Sequence, residues 1–125
     1  MKSPPKLNKL KLAFITGASK GIGRSTAITF ANAGWDLILL SRNMELMEKL
    51  KGELLTTKSK ISLVKCDLSN SLEIEHCVKE AIEKYGCPSV LINNAGCAFN
   101  VPLAEMDLGQ WEQTIQINLT SVFQI

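Results

Sequence analysis

A short apolar strand pattern runs directly into a glycine-rich loop near the start of this 125-residue chain. Residues 14–23 read Phe-Ile-Thr-Gly-Ala-Ser-Lys-Gly-Ile-Gly, and an amphipathic helical pattern follows at once. Glycine lets the backbone turn sharply, and a helix that begins at such a turn presents unpaired N–H groups and the positive end of its dipole. The segment therefore restricts the chain to folds that open with a strand, a loop and a helix, and that arrangement suits an anionic phosphate.

The spacing of these glycines narrows the choice of ligand. It is Gly-x-x-x-Gly-x-Gly, which differs from the Gly-x-Gly-x-x-Gly of common dinucleotide loops and lacks the Gly-Lys-Ser/Thr of a Walker A loop. Glycine-rich turns also follow strands for purely structural reasons. From the loop alone, binding of a nucleotide is the favoured interpretation and a plain structural turn is the alternative.

Strand and helix patterns alternate along the rest of the chain. We predict strands at residues 12–16, 35–40, 61–66 and 89–92, with helices between them and a last helix after Asp107. The strands are continuously apolar, which is typical of a parallel sheet covered on both faces. With right-handed crossovers the expected strand order is 3-2-1-4, a doubly wound α/β sheet in a single domain.

Helix caps and buried faces follow from the periodicity. Asn43, Asn70 and Asp107 are predicted N-caps, and Glu73 has capping-box spacing from Asn70. The predicted buried positions, helix by helix, are Ala27, Phe30 and Ala31; Leu46, Met47, Leu50 and Leu54; Ile74, Cys77, Val78, Ala81, Ile82 and Tyr85; and the stripe Trp111, Ile115, Asn118 and Val122. Asn118 is polar on that apolar stripe, so it needs hydrogen-bond partners inside, and a structural hydrogen bond is the simplest explanation.

Composition excludes several classes of protein. The net charge is only +2, which gives no indication of a nucleic-acid surface, and no stretch has the length of a membrane span. A cytoplasmic location is expected. Residues 1–10 are predicted to form a solvated basic arm, not a signal peptide, because the apolar run after its lysines is too short. That cluster of lysines is Lys2, Lys6, Lys9 and Lys11.

Four cysteines occur without any Cys-x-x-Cys pair, at Cys66, Cys77, Cys87 and Cys97. The only histidine, His76, is adjacent to Cys77 on a predicted helix, and adjacent helical positions point about 100° apart. We therefore expect buried free thiols, with no metal site and no disulfide.

The end of the second strand indicates the cofactor. An acidic residue there would hold the ribose hydroxyls of NAD, but the sequence has Ser41 followed by Arg42. A guanidinium can bind a 2′-phosphate through two hydrogen bonds, and the hydroxyl can add another. Lys20 in the glycine loop adds a second cation. Together these residues favour NADP over NAD. The alternative, solvated surface cations, explains either residue alone more easily than both.

Polar residues also end the third and fourth strands. Asp67 can accept a hydrogen bond from an adenine amino group or serve at the start of the next helix, and spacing does not separate the two. Asn93 and Asn94 precede Ala95 and Gly96. Their amides either lock the neighbouring strand ends or line a cofactor cleft.

These motifs, in this order, resemble the short-chain dehydrogenase/reductase family. The match comprises Thr16-Gly17-x-x-x-Gly21-Ile22-Gly23, Asp67, residues 93–96 and Asn118. The resemblance implies a Rossmann-type fold and NADP(H) as cofactor. It places Thr16, Gly17, Ser19, Lys20, Gly21, Ile22 and Gly23 around the pyrophosphate, Ser41 and Arg42 at the 2′-phosphate, Asp67 and Leu68 at the adenine, Asn94, Ala95 and Gly96 at the ribose and nicotinamide, and Asn118 as a catalytic residue.

The resemblance also implies what the residues do together. Family members interconvert a carbonyl and an alcohol, with ketoacyl-carrier-protein reductases as one branch, and usually form homo-oligomers. Their catalytic Ser and Tyr-x-x-x-Lys have no counterpart here, because Tyr85 is followed four residues later by Ser89. We therefore expect the chain to be an incomplete sequence, truncated after the fourth strand and the following helix, and to be inactive alone. A non-catalytic NADP(H)-binding or interaction fragment is the alternative.

Overall fold

The computed structural model describes residues 11–125, so the predicted basic arm at residues 1–10 lies outside the described part of the chain. Strands and helices alternate, as predicted. The elements are β1 Leu12–Thr16, α1 Gly21–Asn32, β2 Asp36–Ser41, α2 Met44–Glu53, β3 Ile61–Lys65, α3 Ser71–Tyr85, β4 Val90–Ile92, a 3₁₀ turn Leu103–Glu105, α4 Leu108–Ile115, a π-helical segment Gln116–Thr120 and α5 Ser121–Gln124.

The four described strands form one parallel sheet in the order β3-β2-β1-β4, which confirms the predicted order. The register pairs Thr16 with Leu40, and Leu40 with Val64. On the other side of β1, Ile15 pairs with Ile92. Because every strand runs in the same direction, their carboxyl ends lie along one edge of the sheet.

Two apolar cores lie on opposite faces of the sheet. Ala13 and Ile15 of β1 pack with α1 and α2 on one face, while Phe14 packs with α3 and the π-helical segment on the other. Every residue of β1 is buried. A strand that is covered on both faces needs apolar side chains at every position, and this explains the unbroken apolar pattern in the sequence.

The predicted helix starts are confirmed. Asn43 accepts a hydrogen bond from the backbone N–H of Leu46 at 3.0 Å, and Asn70 accepts one from Glu73 at 3.1 Å. Asp107 forms a complete capping box with Gln110. The Glu73 carboxylate does not complete the box at Asn70, because it accepts a hydrogen bond from the N–H of Asp67 at 2.9 Å.

The strand boundaries differ from the predicted ones by a residue. β2 begins at Asp36 because Trp35 lies beside α1, where it packs edge-on against Phe30 with ring centroids 5.2 Å apart. β3 ends at Lys65 and β4 begins at Val90. Leu46, predicted to be buried, is exposed on the first turn of α2.

The predicted buried stripe on the last helix is wrong. Trp111 is 50% exposed and Val122 40% exposed, whereas Ile117 and Ser121 are buried. The π-helical segment widens the turn, so positions before and after it no longer follow one 3.6-residue period. A stripe drawn across the segment therefore does not lie on one face.

Two further predictions concern the state of the cysteines and the presence of membrane-spanning helices. All four cysteines are free, as predicted, but only Cys66 is buried, and the other three are half-buried. Among residues 11–125, no helix combines the length and the apolar character needed to cross a bilayer.

Candidate nucleotide-binding cleft

A cleft of about 320 Å³ opens at the carboxyl edge of the sheet, where the strand ends meet. Most of the predicted cofactor residues line it, namely Gly17, Ser19, Lys20, Gly21, Ile22, Ser41, Arg42, Asp67, Leu68, Asn94, Ala95 and Gly96. The fold thus brings together residues from four separate stretches of sequence. Thr16, Gly23 and Asn118 do not line the cleft, and each instead supports its walls.

The glycine loop is shaped by close contacts as well as by backbone conformation. Gly17 has a φ of +64°, a conformation that other residues rarely adopt. A Cβ on Gly23 would lie 2.3 Å from the carbonyl oxygen of Gly17 and 2.5 Å from the side-chain nitrogen of Asn94. Gly23 therefore allows α1 to approach the loop and the end of β4 closely, and it sets the width of the cleft floor.

The amino end of α1 points into this cleft without a capping side chain from the described residues. Lys20 is the N-cap residue and makes no side-chain cap hydrogen bond, and the first turn holds no acidic residue. The first N–H groups of a helix have no intrahelical acceptor, and the helix dipole adds partial positive charge there. The exposed side chains of Lys20 and Arg42 line the same cleft. The helix end and these two cations therefore each contribute positive potential to the cleft.

Thr16 and Asn94 together tie β1 to β4. The Thr16 hydroxyl is buried and accepts hydrogen bonds from the backbone N–H groups of Asn94 at 3.1 Å and Ala95 at 3.0 Å. In return, the Asn94 amide donates to the carbonyl oxygens of Thr16 at 3.0 Å and Gly17 at 3.2 Å. Of the two roles open for Asn94, locking the strand ends is therefore observed, and the same residue also lines the cleft.

Asp67 likewise has two roles, since it organises the turn before α3 and lines the cleft. Its Oδ1 atom accepts hydrogen bonds from the N–H of Ser69 at 2.9 Å and from the Ser69 hydroxyl at 2.8 Å, which organises the start of α3. These hydrogen bonds and the nearby charge of Arg42 lower the pKa of the Asp67 carboxyl. Asp67 therefore stays ionised in the wall of the cleft.

Ser41 ends β2 and is almost fully buried. Its Oγ atom accepts a hydrogen bond from the N–H of Asn43 at 3.3 Å, which holds the turn into α2. Because Oγ accepts in that contact, its own proton is left to be donated. Arg42 follows directly and projects from this turn beside the cleft.

Asn118 forms a two-way contact with the loop after β4. Its Oδ1 accepts from the N–H of Cys97 at 3.0 Å, and its Nδ2 donates to the carbonyl oxygen of Cys97 at 2.7 Å. A Cβ on Gly96 would lie 2.9 Å from Oδ1. The structural hydrogen bond expected for this residue is therefore present, and it fixes the backbone that borders the cleft.

Three lining residues were missed from the sequence, namely Leu40, Cys66 and Ile117. The first two directly precede Ser41 and Asp67 at strand ends, and that position is the signal that could have identified them. Burial and the neighbouring Cys77, Glu73 and Asp67 side chains raise the pKa of the Cys66 thiol. Ile117 had no local signal, because the π-helical segment brings it to the cleft.

Tyr85, the only tyrosine of the sequence, does not line the cleft. It is half-buried at the end of α3, where it packs against the second core. The Lys84 ammonium lies 5.3 Å from its ring centroid. This placement agrees with the expectation that Tyr85 is not a proton donor for a substrate in the cleft.

Comparison with known proteins is consistent with this geometry. Residues 11–125 match the family model described as short chain dehydrogenase. The chain is 39% identical over 111 residues to 3beta-hydroxysteroid dehydrogenase 2 of Eggerthella lenta, covering 88% of this chain and 43% of that protein. It is 30% identical over 114 residues to a 3-oxoacyl-[acyl-carrier-protein] reductase of Synechocystis, covering 90% and 46% respectively.

The fold is also similar to that of a solved structure. The crystal structure of a metagenomic short-chain oxidoreductase in complex with NADP superposes with a TM-score of 0.85 at 30% identity. The superposition covers 91% of this chain and 52% of that one. The chain thus spans about half the length of the curated relatives it matches.

Proposed function

Because the chain belongs to the short-chain dehydrogenase family, we propose that its cleft binds NADP(H) and that the whole protein interconverts a carbonyl and an alcohol. The observation that carries this proposal is the α1 amino end, which opens into the cleft uncapped by any described side chain, with Lys20 and Arg42 beside it. The nicotinamide, when bound, would supply or accept the hydride. The residues of this chain would bind and orient it.

The pyrophosphate would lie over the glycine loop. Its oxygens would accept hydrogen bonds from the first N–H groups of α1, and the loop residues Gly17, Ser19, Lys20, Gly21 and Ile22 would surround it. Thr16 and Gly23 would act indirectly, since the first holds the strand ends together and the second lets the helix approach. The exposed side chain of Ile22 would cover the bound group.

The 2′-phosphate of the adenosine would distinguish NADP from NAD. In this proposal Arg42 binds two of its oxygens and Ser41 donates the proton that its contact with Asn43 leaves available. Lys20 lines the same cleft and adds a second positive charge. No carboxylate follows Ser41 to bind a free ribose hydroxyl, so NAD(H) would bind more weakly.

Asp67 and Leu68 would hold the adenine. Oδ1 of Asp67 is engaged with Ser69, so Oδ2 would accept the adenine amino group while Leu68 packs against the ring. Asn94, Ala95 and Gly96 would border the ribose and the nicotinamide. Asn118 would position that border through the backbone of Cys97, and the resemblance further implies a place for it in proton relay.

The relatives' names differ in the carbonyl that they imply, a steroid in one and an oxoacyl group in the other. A ketoacyl-carrier-protein substrate is one member of the class that we propose. We also propose that residues 1–125 by themselves do not turn over a carbonyl, since Tyr85 lies in the second core. A cytoplasmic, homo-oligomeric whole protein completes the proposal.

The test is a titration of the chain with NADPH and with NADH, in which binding is measured by calorimetry or by the fluorescence of the ligand. Arg42→Asp should weaken NADPH binding by roughly 10- to 100-fold, because a charge-assisted contact contributes about 1.5–3 kcal/mol. NADH affinity should change little. Lys58→Asp reverses an exposed charge in the loop before β3 and should leave both affinities unchanged. Equal effects of the two substitutions on NADPH would overturn the assignment.

A further inference from the structure

Two thiols and a carboxylate meet behind the wall of the cleft, at the end of β3. Cys66 follows the strand and is 1% exposed, while Glu73 and Cys77 lie one turn apart on α3. The two Sγ atoms and a Glu73 oxygen all lie within 4.8 Å of one another. Sequence spacing gave no sign of this cluster, because its members do not form a Cys-x-x-Cys pair.

Backbone contacts hold the cluster in place. Glu73 accepts the N–H of Asp67 at 2.9 Å, and the Cys77 thiol donates to the carbonyl oxygen of Lys65 at 3.3 Å. The side chains of Glu73 and Cys77 are therefore hydrogen-bonded to the backbone of the two residues that flank Cys66 in the sequence. The three potential ligand atoms converge because α3 docks on the end of β3, not because of local loop geometry.

We propose that Cys66, Cys77 and Glu73 form a binding site for a thiophilic divalent cation of the zinc(II) type, with water as the fourth ligand. Thiolate sulfur and carboxylate oxygen are established ligands of zinc, whereas Mg²⁺, Ca²⁺ and Mn²⁺ prefer oxygen ligands. A tetrahedral zinc with bonds of about 2.3 Å to sulfur places two sulfurs roughly 3.8 Å apart. The observed separations reach this value with a contraction of about 1 Å or less, within the range of side-chain rotation.

The binding step balances without a redox partner. Two S–H bonds break, two metal–sulfur bonds form, and two protons pass to the buffer.

Access to the site is open from one side. Cys77 lines a groove of about 520 Å³ between β3 and α3, so an ion can reach the site from solvent. Cys66 lines the nucleotide cleft on the other side. The site does not depend on the proposed oxidoreductase function, and a failure of either proposal leaves the other standing.

The experiment titrates the full 125-residue chain, kept reduced with a phosphine, with Co²⁺ as a spectroscopic probe and then with Zn²⁺ as competitor. One Co²⁺ per chain should bind with sulfur-to-metal charge-transfer absorption, and Zn²⁺ should displace it. Cys77→Ser keeps a hydroxyl that can donate to the carbonyl oxygen of Lys65. It should weaken metal binding by about 100-fold or more, because loss of a direct ligand costs more than the 10- to 100-fold loss caused by removing a residue that only hydrogen-bonds to a ligand. Glu73→Gln should weaken it by at least about 10-fold, because a neutral amide oxygen replaces the carboxylate ligand, and should retain the absorption because both sulfurs remain.

Cys87→Ser is the matched control, because it removes another half-buried thiol outside the cluster and should bind like the parent chain. Circular dichroism of each variant checks that the fold is retained. Charge-transfer absorption that survives Cys77→Ser unchanged, or disappears with Cys87→Ser, would place the metal elsewhere and overturn the proposal. Absence of stoichiometric Co²⁺ binding by the reduced parent chain would overturn it directly.

Discussion

The hydroxyl of Thr16 links the ends of β1 and β4, and a single substitution can test its contribution to stability. Thr16→Val keeps the shape of the side chain and removes the hydroxyl, which accepts from the N–H groups of Asn94 and Ala95 and donates to the carbonyl oxygen of Ile92 at 3.5 Å. The Asn94 N–H also donates to that carbonyl oxygen at 3.1 Å and keeps this acceptor in the variant. The return contacts from the Asn94 amide go to backbone carbonyls and remain possible in the variant. The substitution therefore tests the three hydrogen bonds of one hydroxyl.

The cost follows from burial. Thr16 is 1% exposed, and an N–H left without an acceptor in a buried position costs about 1–3 kcal/mol. Because the Asn94 N–H keeps the carbonyl oxygen of Ile92 as an acceptor, this cost falls on the Ala95 N–H. The free energy of unfolding should therefore fall by about 2 kcal/mol, the middle of that range. That is roughly a 30-fold change in the folding equilibrium.

Urea unfolding followed by circular dichroism measures this loss as a shift of the midpoint by about 1 M. Thr16→Ser is the matched control, since it keeps the acceptor and loses one methyl group, for about 1 kcal/mol. NADPH titration adds a second readout, in which the valine variant should bind more weakly than the serine variant because the border of the cleft at Ala95 is released.

A valine variant that is as stable as the parent chain, or more stable than the serine variant, would refute the reasoning. Such a result would mean that solvent replaces the hydroxyl as acceptor, and that the two strand ends are held by the Asn94 amide alone.

Three further outcomes are expected. Gly23→Ala should lower the free energy of unfolding by about 1–3 kcal/mol, because its Cβ would lie 2.3 Å from a carbonyl oxygen of the loop, whereas Gly52→Ala, in open space on α2, should raise it by about 1 kcal/mol. Urea unfolding compares the two, and equal shifts would contradict the packing argument. Asp67 has a lowered pKa in the folded chain, so its contribution to stability is present above its ordinary pKa and is lost as the pH falls through the folded value. Ser69→Ala removes the hydroxyl donor and keeps the backbone N–H donor, so the stability that this variant loses on acidification should be somewhat smaller than that of the parent chain. Superimposable acid unfolding profiles would count against the hydroxyl hydrogen bond as a cause. Asn118→Ala removes both side-chain contacts to the loop after β4, so the amides of that loop should exchange hydrogen faster, and unchanged protection would show that Asn118 does not hold it.

Local signals determined most of the architecture from the sequence. Unbroken apolar runs identified the strands, and the Asn43, Asn70 and Asp107 caps placed three helix starts. Alternation of strands and helices then led to the strand order, because right-handed crossovers leave few other topologies. The cleft followed as well, since parallel strands bring their carboxyl-terminal residues to one edge whatever the details of packing.

Contacts between distant residues decided the rest. The buried face of the last helix depends on a π-helical segment that no local pattern indicates, so the predicted Trp111 stripe was wrong. Whether Asn94 locks strands or lines the cleft could not be chosen from spacing, and the tertiary structure shows that it does both.

The sequence by itself therefore determined which elements form, in what order, and at which edge of the sheet a ligand site lies, because periodicity, caps and glycines act within a few residues of chain. Only the tertiary structure decided which side chains meet across the sheet and the helices, as Thr16 meets Asn94 and as Cys66 meets Cys77. Those meetings depend on how α1 and α3 dock on the sheet, and docking is the sum of many weak packing contacts that no single segment contains.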